Sequence, residues 1–355
     1  MNIQNVDVAN IYAHAVVGGV IPACRYTVLA CQRHLDDLKK QDEPSFPFRF
    51  DAVKANRAVA FIKLLPCASG PAAYQNLLLP LQSWQLFIVC SVFGWVRKDS
   101  GLRRFKQAYT EAPRKNGNTT LSGAITLCLL ADDDQVADVR VAAPTNHISD
   151  ELLCITKRMV ARSVVLRDRF GAKAFVGGVR TKDGGVLKAM PRNLTPHHEP
   201  DCPSGVIVDN YQEQLPGYLD GVVIGGEHAR PQVLLWMQAT AGTNATGPCH
   251  AKRQAVIDML DGTTPHDELF GIIYTIDDSD DWDSDKALAK ANPNMGISVS
   301  HDFLRGLQSK ASKAAIEYLL NHSGFDARQV GFVDMFKAKH LNIWPTKQPS
   351  DGGRQ

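Results

Sequence analysis

The sequence predicts an α/β fold in which a parallel sheet is sandwiched between helices. From about residue 101, apolar strand-like runs alternate with helical segments, and apolar strands with helical crossovers indicate a parallel sheet covered on both faces. A β-like run, Phe105–Thr110, leads into the polar stretch Glu111–Thr120 (EAPRKNGNTT) and then into the apolar segment Leu121–Ala131. A strand, a tight turn and a helix in this order form the geometry in which backbone N–H groups and a helix N-terminus meet a phosphate.

The first hundred residues are predicted to form a mostly helical region. Apolar residues recur at helical spacing in Val8–Val17, Thr27–Lys40 and Asp51–Leu65, and prolines separate these segments. The apolar run Leu86–Val96 is predicted to be a buried helix or strand. Because this run is too short to span a bilayer, we expect a soluble protein with no membrane partner.

Strands and helices alternate between residues 101 and 276. The strands are predicted at Gln107–Glu111, Ala137–Ala143, Gly205–Asp209, Val233–Ala239 and Phe270–Ile276. The connecting helices are predicted at Leu121–Ala131, Asp150–Val165 and Ala251–Leu260. The segment Asp183–Pro203 is rich in Gly, Pro and His and is predicted to be a loop.

After Asp277 the pattern becomes helical again. An acidic turn precedes a long amphipathic helix predicted at His301–Asn321, and a further helix is predicted at Ala327–Lys339. The polar segment Pro345–Gln355 contains Pro and Gly and is predicted to be disordered. The sequence therefore predicts a helical N-terminal region (1–100), a nucleotide-binding core (101–276), a helical lid or linker region (277–344) and a disordered tail (345–355).

Bulk composition restricts the function only weakly. The 355 residues carry a net charge of +2 and are 44% hydrophobic, which is ordinary for a globular protein. Any surface for nucleic acid therefore has to be local. The eight cysteines form no C-x-x-C pair and mostly lie in apolar runs, which favours reduced, buried thiols in a cytoplasmic protein.

The polar turn fits the nucleotide-binding pattern G-x-x-x-x-G-K-[ST] with a chemical exception. Ala112 takes the position of the first glycine, Gly117 that of the second, and Thr119 that of the metal-binding hydroxyl. Asn118 occupies the position of the lysine. The sequence thus predicts a phosphate cradle without its usual cation.

Several longer stretches carry a resemblance to a known family. In chain order they are NIYAHAVVGGVIPACRYTVLACQRHLDDLKKQ, SVFGWVRKDSGLRRFKQAYTEAPRKNG, VIVDNYQEQ, QATAGT, DDWDSDKALAKANPNMGISVS and FKAKHLNIW. Together they resemble the large subunit of tailed-phage terminase, the motor that packages DNA into proheads. The resemblance extends to about Trp344 and implies a P-loop NTPase of the additional-strand class that works as a homo-oligomeric ring.

The resemblance implies ATP and Mg²⁺ as cofactors, with nucleotide contacts from the loop and from an upstream glutamine. The implied nucleotide-binding residues are Gln85, Arg114, Lys115, Asn116, Gly117, Asn118, Thr119 and Thr120. Gln85 resembles the adenine-reading glutamine of the class, and Trp84 beside it is expected to pack rather than to stack on a base. Some family members carry their essential lysine early in the loop, so Lys115 or Arg114 is a candidate replacement. The alternative is that both are solvated charges of a turn.

A second departure from the family pattern lies at the end of the predicted strand Gly205–Asp209. Asp209 resembles the aspartate that orients Mg²⁺, with Thr119 as the hydroxyl ligand, although an aspartate at this place is also common as a helix cap. The glutamate that follows in the family acts as the general base, but Asn210 stands there and cannot accept a proton. Glu213 is the candidate substitute for catalysis. We expect Gly117 and Asp209 at the ends of neighbouring parallel strands.

Two other stretches differ in how closely they follow the family: the first is altered and the second is retained. Asn146 and His147 stand where the family supplies a basic residue that resembles a trans-acting finger. In the coupling stretch after the fourth strand, Thr240 and Gly242 persist. The resemblance therefore implies retained coupling and an altered finger.

Basic residues form two groups that are candidates for DNA-backbone contacts, with surface salt bridges as the alternative. The first group comprises Arg97, Lys98, Arg103, Arg104 and Lys106. The second group comprises Lys157, Arg158, Arg162, Arg167 and Arg169. The motif HHEPDC (197–202) is a candidate transition-metal site, whereas the acidic run DDSDDWDSD lacks the central glycine of a calcium loop.

These features predict the ATPase part of a phage or prophage terminase large subunit with impaired or absent ATP hydrolysis. The implied partners are double-stranded DNA, the portal protein, the terminase small subunit and further copies of the chain, in the host cytoplasm. Family members usually continue after the KHLNIW stretch into a nuclease domain, so no nuclease activity is expected. The alternative is a non-catalytic, prophage-derived binding or assembly protein; a third hypothesis is that the substitutions were engineered to trap bound nucleotide.

Overall fold

A computed structural model describes residues 4–132, 136–143, 146–190, 203–214, 230–242, 245–320 and 327–345. The N-terminal region is mostly helical, as predicted. Its helices are α1 (Asn5–Val17), α2 (Arg25–Lys40), α3 (Ala52–Lys63), α4 (Gly70–Tyr74) and α5 (Ser83–Gly94). It also contains an antiparallel strand pair that the sequence does not predict, formed by β1 (Phe48–Phe50) and β2 (Trp95–Arg97).

The apolar run at residues 86–96 is divided between a helix and a strand. Almost every residue of α5 is buried, which accounts for the absence of a polar face in its sequence. The helix ends at Gly94, where a Cβ atom would lie 2.6 Å from the ring of Phe50. The chain continues directly into β2. The prediction of a helix or a strand was therefore incomplete, because the run forms both.

The centre of the molecule is an eight-stranded sheet among the described residues. Its strands are β3 (Gln107–Glu111), β4 (Asp138–Ala142), β5 (Lys173–Phe175), β6 (Gly178–Arg180), β7 (Val186–Ala189), β8 (Gly205–Val208), β9 (Leu234–Ala239) and β10 (Leu269–Ile273). They lie in the order β10-β3-β9-β8-β4-β7-β6-β5. All neighbours from β10 to β7 pair in parallel. The five predicted strands are present and the predicted α/β fold class is confirmed.

Strand β9 lies between β3 and β8 and pairs in parallel with both. The expectation that Gly117 and Asp209 follow neighbouring strands is therefore wrong, because one strand separates them. Both residues still follow the carboxyl ends of strands in the same parallel sheet. The inserted strand is the feature that an additional-strand P-loop fold implies.

Three short strands of this sheet were not predicted. β5 and β6 extend the sheet in antiparallel pairing beyond β7, and β7 lies inside the segment Asp183–Pro203 that was predicted to be a loop. Strands of three or four residues give too few alternations for a periodic signal, and β5 is exposed at every position. Residues 191–202 of that predicted loop, with the HHEPDC motif, lie outside the described residues.

Helices cover both faces of the sheet. They are α6 (Asn118–Asp132), α7 (Asn146–Arg162), α8 (Val164–Phe170), α9 (Pro248–Leu260), α10 (Asp285–Ala291), α11 (His301–Leu320) and α12 (Ala327–His340). On one face, Ile125 of α6 and Trp236 of β9 share a core with the N-terminal helices. On the other face, Val256 of α9 packs in a cluster with Met237. Helices α10, α11 and α12 form a smaller cluster of their own, and the predicted division into four parts stays a prediction.

Three features of the described part of the chain concern membrane spans, disulfides and metal sites. None of its helices is both long and apolar enough to cross a membrane. Its cysteines are free thiols, almost all of them buried. It contains no group of three or more His, Cys, Asp or Glu side chains arranged to hold a metal ion.

Candidate functional site

The loop between β3 and α6 enters the left-handed backbone region twice. Lys115 has a φ of 72° and Gly117 a φ of 85°. Glycine adopts this conformation without steric cost, whereas for lysine it costs about 1–2 kcal/mol. Backbone bent in this way directs nearby N–H groups into a shared concavity that suits an anion.

Backbone N–H groups throughout this turn and the start of α6 have no hydrogen-bond acceptor among the residues that the structure describes. Those of Lys115, Gly117, Asn118 and Thr119 are four of them. The backbone bonding of α6 begins only with Leu121, whose N–H donates to the carbonyl of Gly117 over 3.0 Å. Open N–H groups at a helix start carry partial positive charge. The loop therefore presents donors to an anion.

Asparagine side chains hold the loop in this shape. The amide nitrogen of Asn116, which is fully buried, donates to the Pro113 carbonyl (3.1 Å) and to Asn292 Oδ1 (2.9 Å). Its oxygen accepts from the backbone N–H of Asn294 (3.0 Å). Ser298 donates to the carbonyl of Lys115 (2.5 Å). The side chain of Asn116 is thus committed to the loop, and only its backbone can face a ligand.

Asn118 uses its side chain to close the loop from within. Its Nδ2 donates to the carbonyls of Ala112 (3.0 Å) and Pro113 (3.3 Å). Its Oδ1 is buried without a hydrogen-bond partner in the described part of the chain, and such an atom is costly unless a donor or a cation reaches it. At the position where a lysine would extend toward a phosphate, the chain has a short neutral group turned back to the backbone.

Thr119 and Asp209 meet at the carboxyl edge of the sheet. Asp209 is almost fully buried, and its Oδ2 lacks a hydrogen-bond partner among the described residues. Burial raises its pKa to about 6, while the hydroxyls of Thr119 and Ser122 act against this rise and the carboxylate of Glu151 adds to it. Oxygen ligands of this type suit Mg²⁺. The unpartnered carboxylate oxygen beside a hydroxyl therefore fits a hard divalent cation.

The residue after Asp209 is held in a neutral hydrogen-bonded chain. Asn210 adopts the left-handed conformation (φ 54°, ψ 51°), and its Oδ1 accepts from Gln212 Nε2 (3.2 Å). Gln212 Oε1 in turn accepts from the backbone N–H of Thr240 (3.1 Å). Thr240 donates to the carbonyl of Ala112 through its hydroxyl (2.8 Å). The end of β8, the end of β9 and the loop are thus physically connected.

Positive charge collects around the loop from two distant parts of the sequence. Arg114 and Lys115 are exposed. Lys339 and His340 lie nearby, at the end of α12. Burial and then the charge of Arg114 lower the pKa of Lys339, whereas burial and then the charges of Arg114 and Lys115 lower the pKa of His340 to about 4. Glu213, exposed in a short 3-10 turn (Tyr211–Glu213), is near enough to act in the opposite direction on Lys339.

Residues 83–256 match the family described as the terminase large subunit, ATPase domain. This part of the chain is therefore similar to the ATPase domain of that family. The match covers the anion-binding loop, the Thr119–Asp209 pair and the Thr240 connection. It agrees with the resemblance that the sequence carries. Asn118 and Asn210 therefore both lie within the stretch that matches the family model.

Individual relatives span more sequence than this chain does. Protein YmfN of Escherichia coli (strain K12) is 44% identical over 165 residues, which cover 46% of this chain and 32% of that protein. The crystal structure of the HK97 bacteriophage large terminase superposes with a TM-score of 0.64 at 16% identity, covering 82% of this chain and 55% of that one. A large terminase from a thermophilic bacteriophage, solved in complex with ATP-gamma-S, gives a TM-score of 0.41 at 12% identity and covers 68% and 48%. The chain thus spans about a third of the curated relative and about half of these solved chains.

Gln85 lies beside the loop of the ATPase domain. Its Nε2 is 3.8 Å from the point where a Cβ atom on Gly117 would stand. Its Oε1 accepts from the backbone N–H of Gln82 and so also caps α5 (2.9 Å). Trp84 is buried against Tyr274 and donates to Asn294 Oδ1 (3.2 Å). Trp84 therefore packs, as expected, and Gln85 stays a candidate for base recognition.

Several side chains of the first basic group are engaged by contacts within the molecule. The Arg104 side chain is 1% exposed, pairs with Asp37 over 2.6 Å and lies against the ring of Phe48. Lys98 donates to the carbonyl of Glu43 (2.6 Å), and Lys106 pairs with Glu268. For Arg104 the DNA role is wrong, because a buried, paired guanidinium cannot contact a backbone phosphate. The arginines of α7 and α8 are exposed and stay candidates for contacts with the DNA backbone.

Sequence reasoning missed several residues that shape this site. Asn292 and Asn294 stand in the stretch ANPNMG, which was used for the resemblance but given no role. Lys339 lies in KHLNIW in the same way. A signal was present, since asparagines in such a short polar stretch are typical of backbone bonding, but their partner loop is far away in sequence. The side chains of Asn146 and His147 lie outside the described part of the chain.

Proposed function

We propose that this ATPase domain binds ATP with Mg²⁺ at the 112–119 loop and hydrolyses it far more slowly than a working packaging motor. The observation that carries the proposal is the set of N–H groups at Lys115, Gly117, Asn118 and Thr119, which are open within the described part of the chain. A triphosphate supplies the acceptors that these donors lack. Gln85, whose amide lies near Gly117, and Thr120, which follows Thr119 in the chain, are proposed to contact the nucleotide.

The metal ion in this proposal is held by Thr119 and Asp209. Bound Mg²⁺ would neutralise charge on the β- and γ-phosphates. Asp209 contributes a buried carboxylate whose Oδ2 has no donor among the described residues, and Thr119 contributes a hydroxyl beside it. Around them, Ser122 receives a hydrogen bond from the indole of Trp236 (3.2 Å), which fixes the wall of the site.

Slow hydrolysis follows from two neutral amides. Asn118 cannot supply a cation to the phosphates, and Asn210 cannot take a proton from water. Removal of one preorganised charge-stabilising donor costs roughly 10²–10³ in rate in other enzymes. The effects of changes at two positions are not additive, yet one loss of this size would already take a turnover of about 1–100 s⁻¹, typical of kinases, to about 1 s⁻¹ or below. Glu213 and Glu151 are the candidate carboxylates for a residual reaction.

The wider assembly is proposed from the match to the terminase family. It includes double-stranded DNA, a portal protein, a small subunit, further copies of the chain in a ring, and the cytoplasm of a host cell. Thr240 and Gly242 are proposed to couple nucleotide state to movement, because Thr240 bonds to the loop and Gly242 packs against Trp344.

Calorimetry and a phosphate-release assay test the proposal together. We expect the wild-type chain to bind ATP in the presence of Mg²⁺ with turnover close to background. The double variant Asn118→Lys/Asn210→Glu should raise turnover by at least about 10²-fold, because it restores a cation and a base. The matched control Asn118→Gln/Asn210→Gln changes size at the same positions without charge and should leave turnover unchanged. Wild-type turnover at motor rates would overturn the proposal.

A second function is supported by the way Asn118 closes the loop from within. A chain with no ATP affinity at millimolar concentrations would instead be a non-catalytic binding or assembly protein. The calorimetric measurement therefore separates the two functions.

A further inference from the structure

We infer that Lys339, from the end of α12, supplies the phosphate-contacting cation that position 118 lacks. The inference rests on the nucleotide binding proposed above and assigns a further residue to that site. Lys339 lies more than two hundred positions along the chain from the loop, outside the part that matches the ATPase domain family.

The end of α12 is attached directly to the loop. The backbone N–H of Arg114 donates to the carbonyl of Lys339 over 2.9 Å. The next carbonyl, that of His340, accepts from Asn292 Nδ2 over 2.9 Å, and Asn292 also binds the buried side chain of Asn116. The backbone of Lys339 is therefore fixed relative to the loop by bonds on both sides.

The ammonium group of Lys339 points to the carboxyl edge of the sheet. Its Nζ donates to the carbonyl of Ala241 over 2.9 Å. Ala241 follows Thr240, whose hydroxyl binds the carbonyl of Ala112 at the start of the loop. Ligands of parallel α/β sheets bind at this edge. The charge thus lies beside the segment that follows β9, and this segment is bonded to the start of the loop.

The ammonium group of Lys339 can donate further hydrogen bonds and can pair with an anion. A lysine ammonium carries three donors, and within the described part of the chain Nζ has one acceptor and no carboxylate within ion-pair distance. Burial, together with the charge of Arg114, lowers the pKa of Lys339, and the more distant carboxylate of the exposed Glu213 offsets only part of this effect. A partly buried cation beside other cations is costly unless an anion joins it. A triphosphate in the loop is that anion.

A neighbouring lysine on the same helix shows the contrast. The Nζ of Lys337 lies 4.7 Å from the ring centroid of Trp282, so its charge is directed to the lid helices. Lys337 therefore provides a matched control with equal loss of charge. If Lys339 only tied α12 to Ala241, a neutral donor at 339 would serve equally well.

The test compares Lys339→Gln, Lys339→Arg and Lys337→Gln in calorimetric titrations with ATP, ADP and AMP in the presence of Mg²⁺. Glutamine keeps a donor for the Ala241 carbonyl but removes the charge. We expect Lys339→Gln to weaken ATP binding at least about tenfold, since a hydrogen bond to a charged group disappears, and AMP binding by less than about twofold. Lys339→Arg and Lys337→Gln should stay within about threefold of the wild type.

A second variant links the two positions. Adding Asn118→Lys to Lys339→Gln should restore most of the ATP affinity. Equal weakening for ATP and AMP, or ATP affinity unchanged by Lys339→Gln, overturns the inference while leaving the proposed function in place. Absence of ATP binding by the wild-type chain overturns the proposed function and the inference with it.

Discussion

At the scale of single residues, Asp209 shows how the site stores unfavourable electrostatic free energy. Its carboxylate is removed from water, and one oxygen lacks a donor among the described residues. The raised pKa means that the folded chain holds this proton more tightly than the unfolded chain does. The group therefore lowers stability as pH rises from about 4 to about 6, and the loss persists above that range. A cation bound here would reverse the loss.

The raised pKa of Asp209 predicts the effect of Asp209→Asn on the nucleotide-free chain. The variant removes the charge and keeps the shape, so it should be more stable than the wild type at pH 7 by roughly 2–3 kcal/mol, on the basis of about 1.4 kcal/mol per pKa unit. Urea unfolding at several pH values measures the difference. The gain should shrink as pH falls toward 4 and vanish below about pH 3, where this carboxyl group is protonated in both the folded and the unfolded state. An equal gain at pH 4 and pH 7 would contradict the electrostatic origin.

At the scale of elements, Glu111 connects β3 to the rest of the molecule. It is fully buried at the strand end, where Tyr109 donates to it and Arg253 of α9 forms an ion pair over 3.3 Å. Asn342 (2.9 Å) and Trp344 (3.1 Å) donate to the same carboxylate from the segment after α12. One side chain thus holds a strand, a helix and the C-terminal segment together.

Glu111→Ala should destabilise the chain by about 3–5 kcal/mol, because it leaves the Arg253 guanidinium buried without its partner. The free energy of unfolding from urea titration measures this. Glu268→Ala provides the control, since Glu268 pairs with Lys106 at a more exposed position and should cost about 0–1 kcal/mol. Similar losses for the two variants would show that Glu111 is not a buried structural hub.

The same scale shows what could be predicted from the sequence. The long helices and the apolar strands were predicted nearly to their ends, because periodicity and flanking Gly and Pro act locally. The order of the strands was not predicted. Because β9 lies between β3 and β8, Gly117 and Asp209 do not follow neighbouring strands as expected. The contacts from Asn292 and Lys339 to the loop depend on tertiary packing, which no local pattern encodes.

At the scale of the whole molecule, the consecutive helices α7 and α8 present a surface that carries exposed arginines. Arg158 and Arg169 are exposed on it, while the guanidinium of Arg104 is buried in the core. We propose this surface as a contact for the DNA backbone. Contacts of this kind are independent of sequence and are weakened by salt.

Arg158→Ala/Arg169→Ala should weaken binding to double-stranded DNA uniformly across sequences. The slope of log affinity against log salt should fall by about 1 for each phosphate that is no longer neutralised. Fluorescence anisotropy over a salt series measures both quantities. Arg97→Ala/Lys98→Ala removes the same charge near the β1–β2 pair and should leave the slope unchanged. An unchanged slope in the α7–α8 variant would show that this surface does not bind the DNA backbone.

The segment after α12 has a mechanical consequence. Asn342 receives the N–H of Ala241 (2.6 Å) and binds Glu111, while the carbonyl of Lys339 receives the N–H of Arg114. A force on α12 would therefore be transmitted to the ends of β3 and β9 through these hydrogen bonds rather than through the packed interior. We therefore expect a displacement of α12 and a change in the shape of the loop to occur together, whichever of the two comes first.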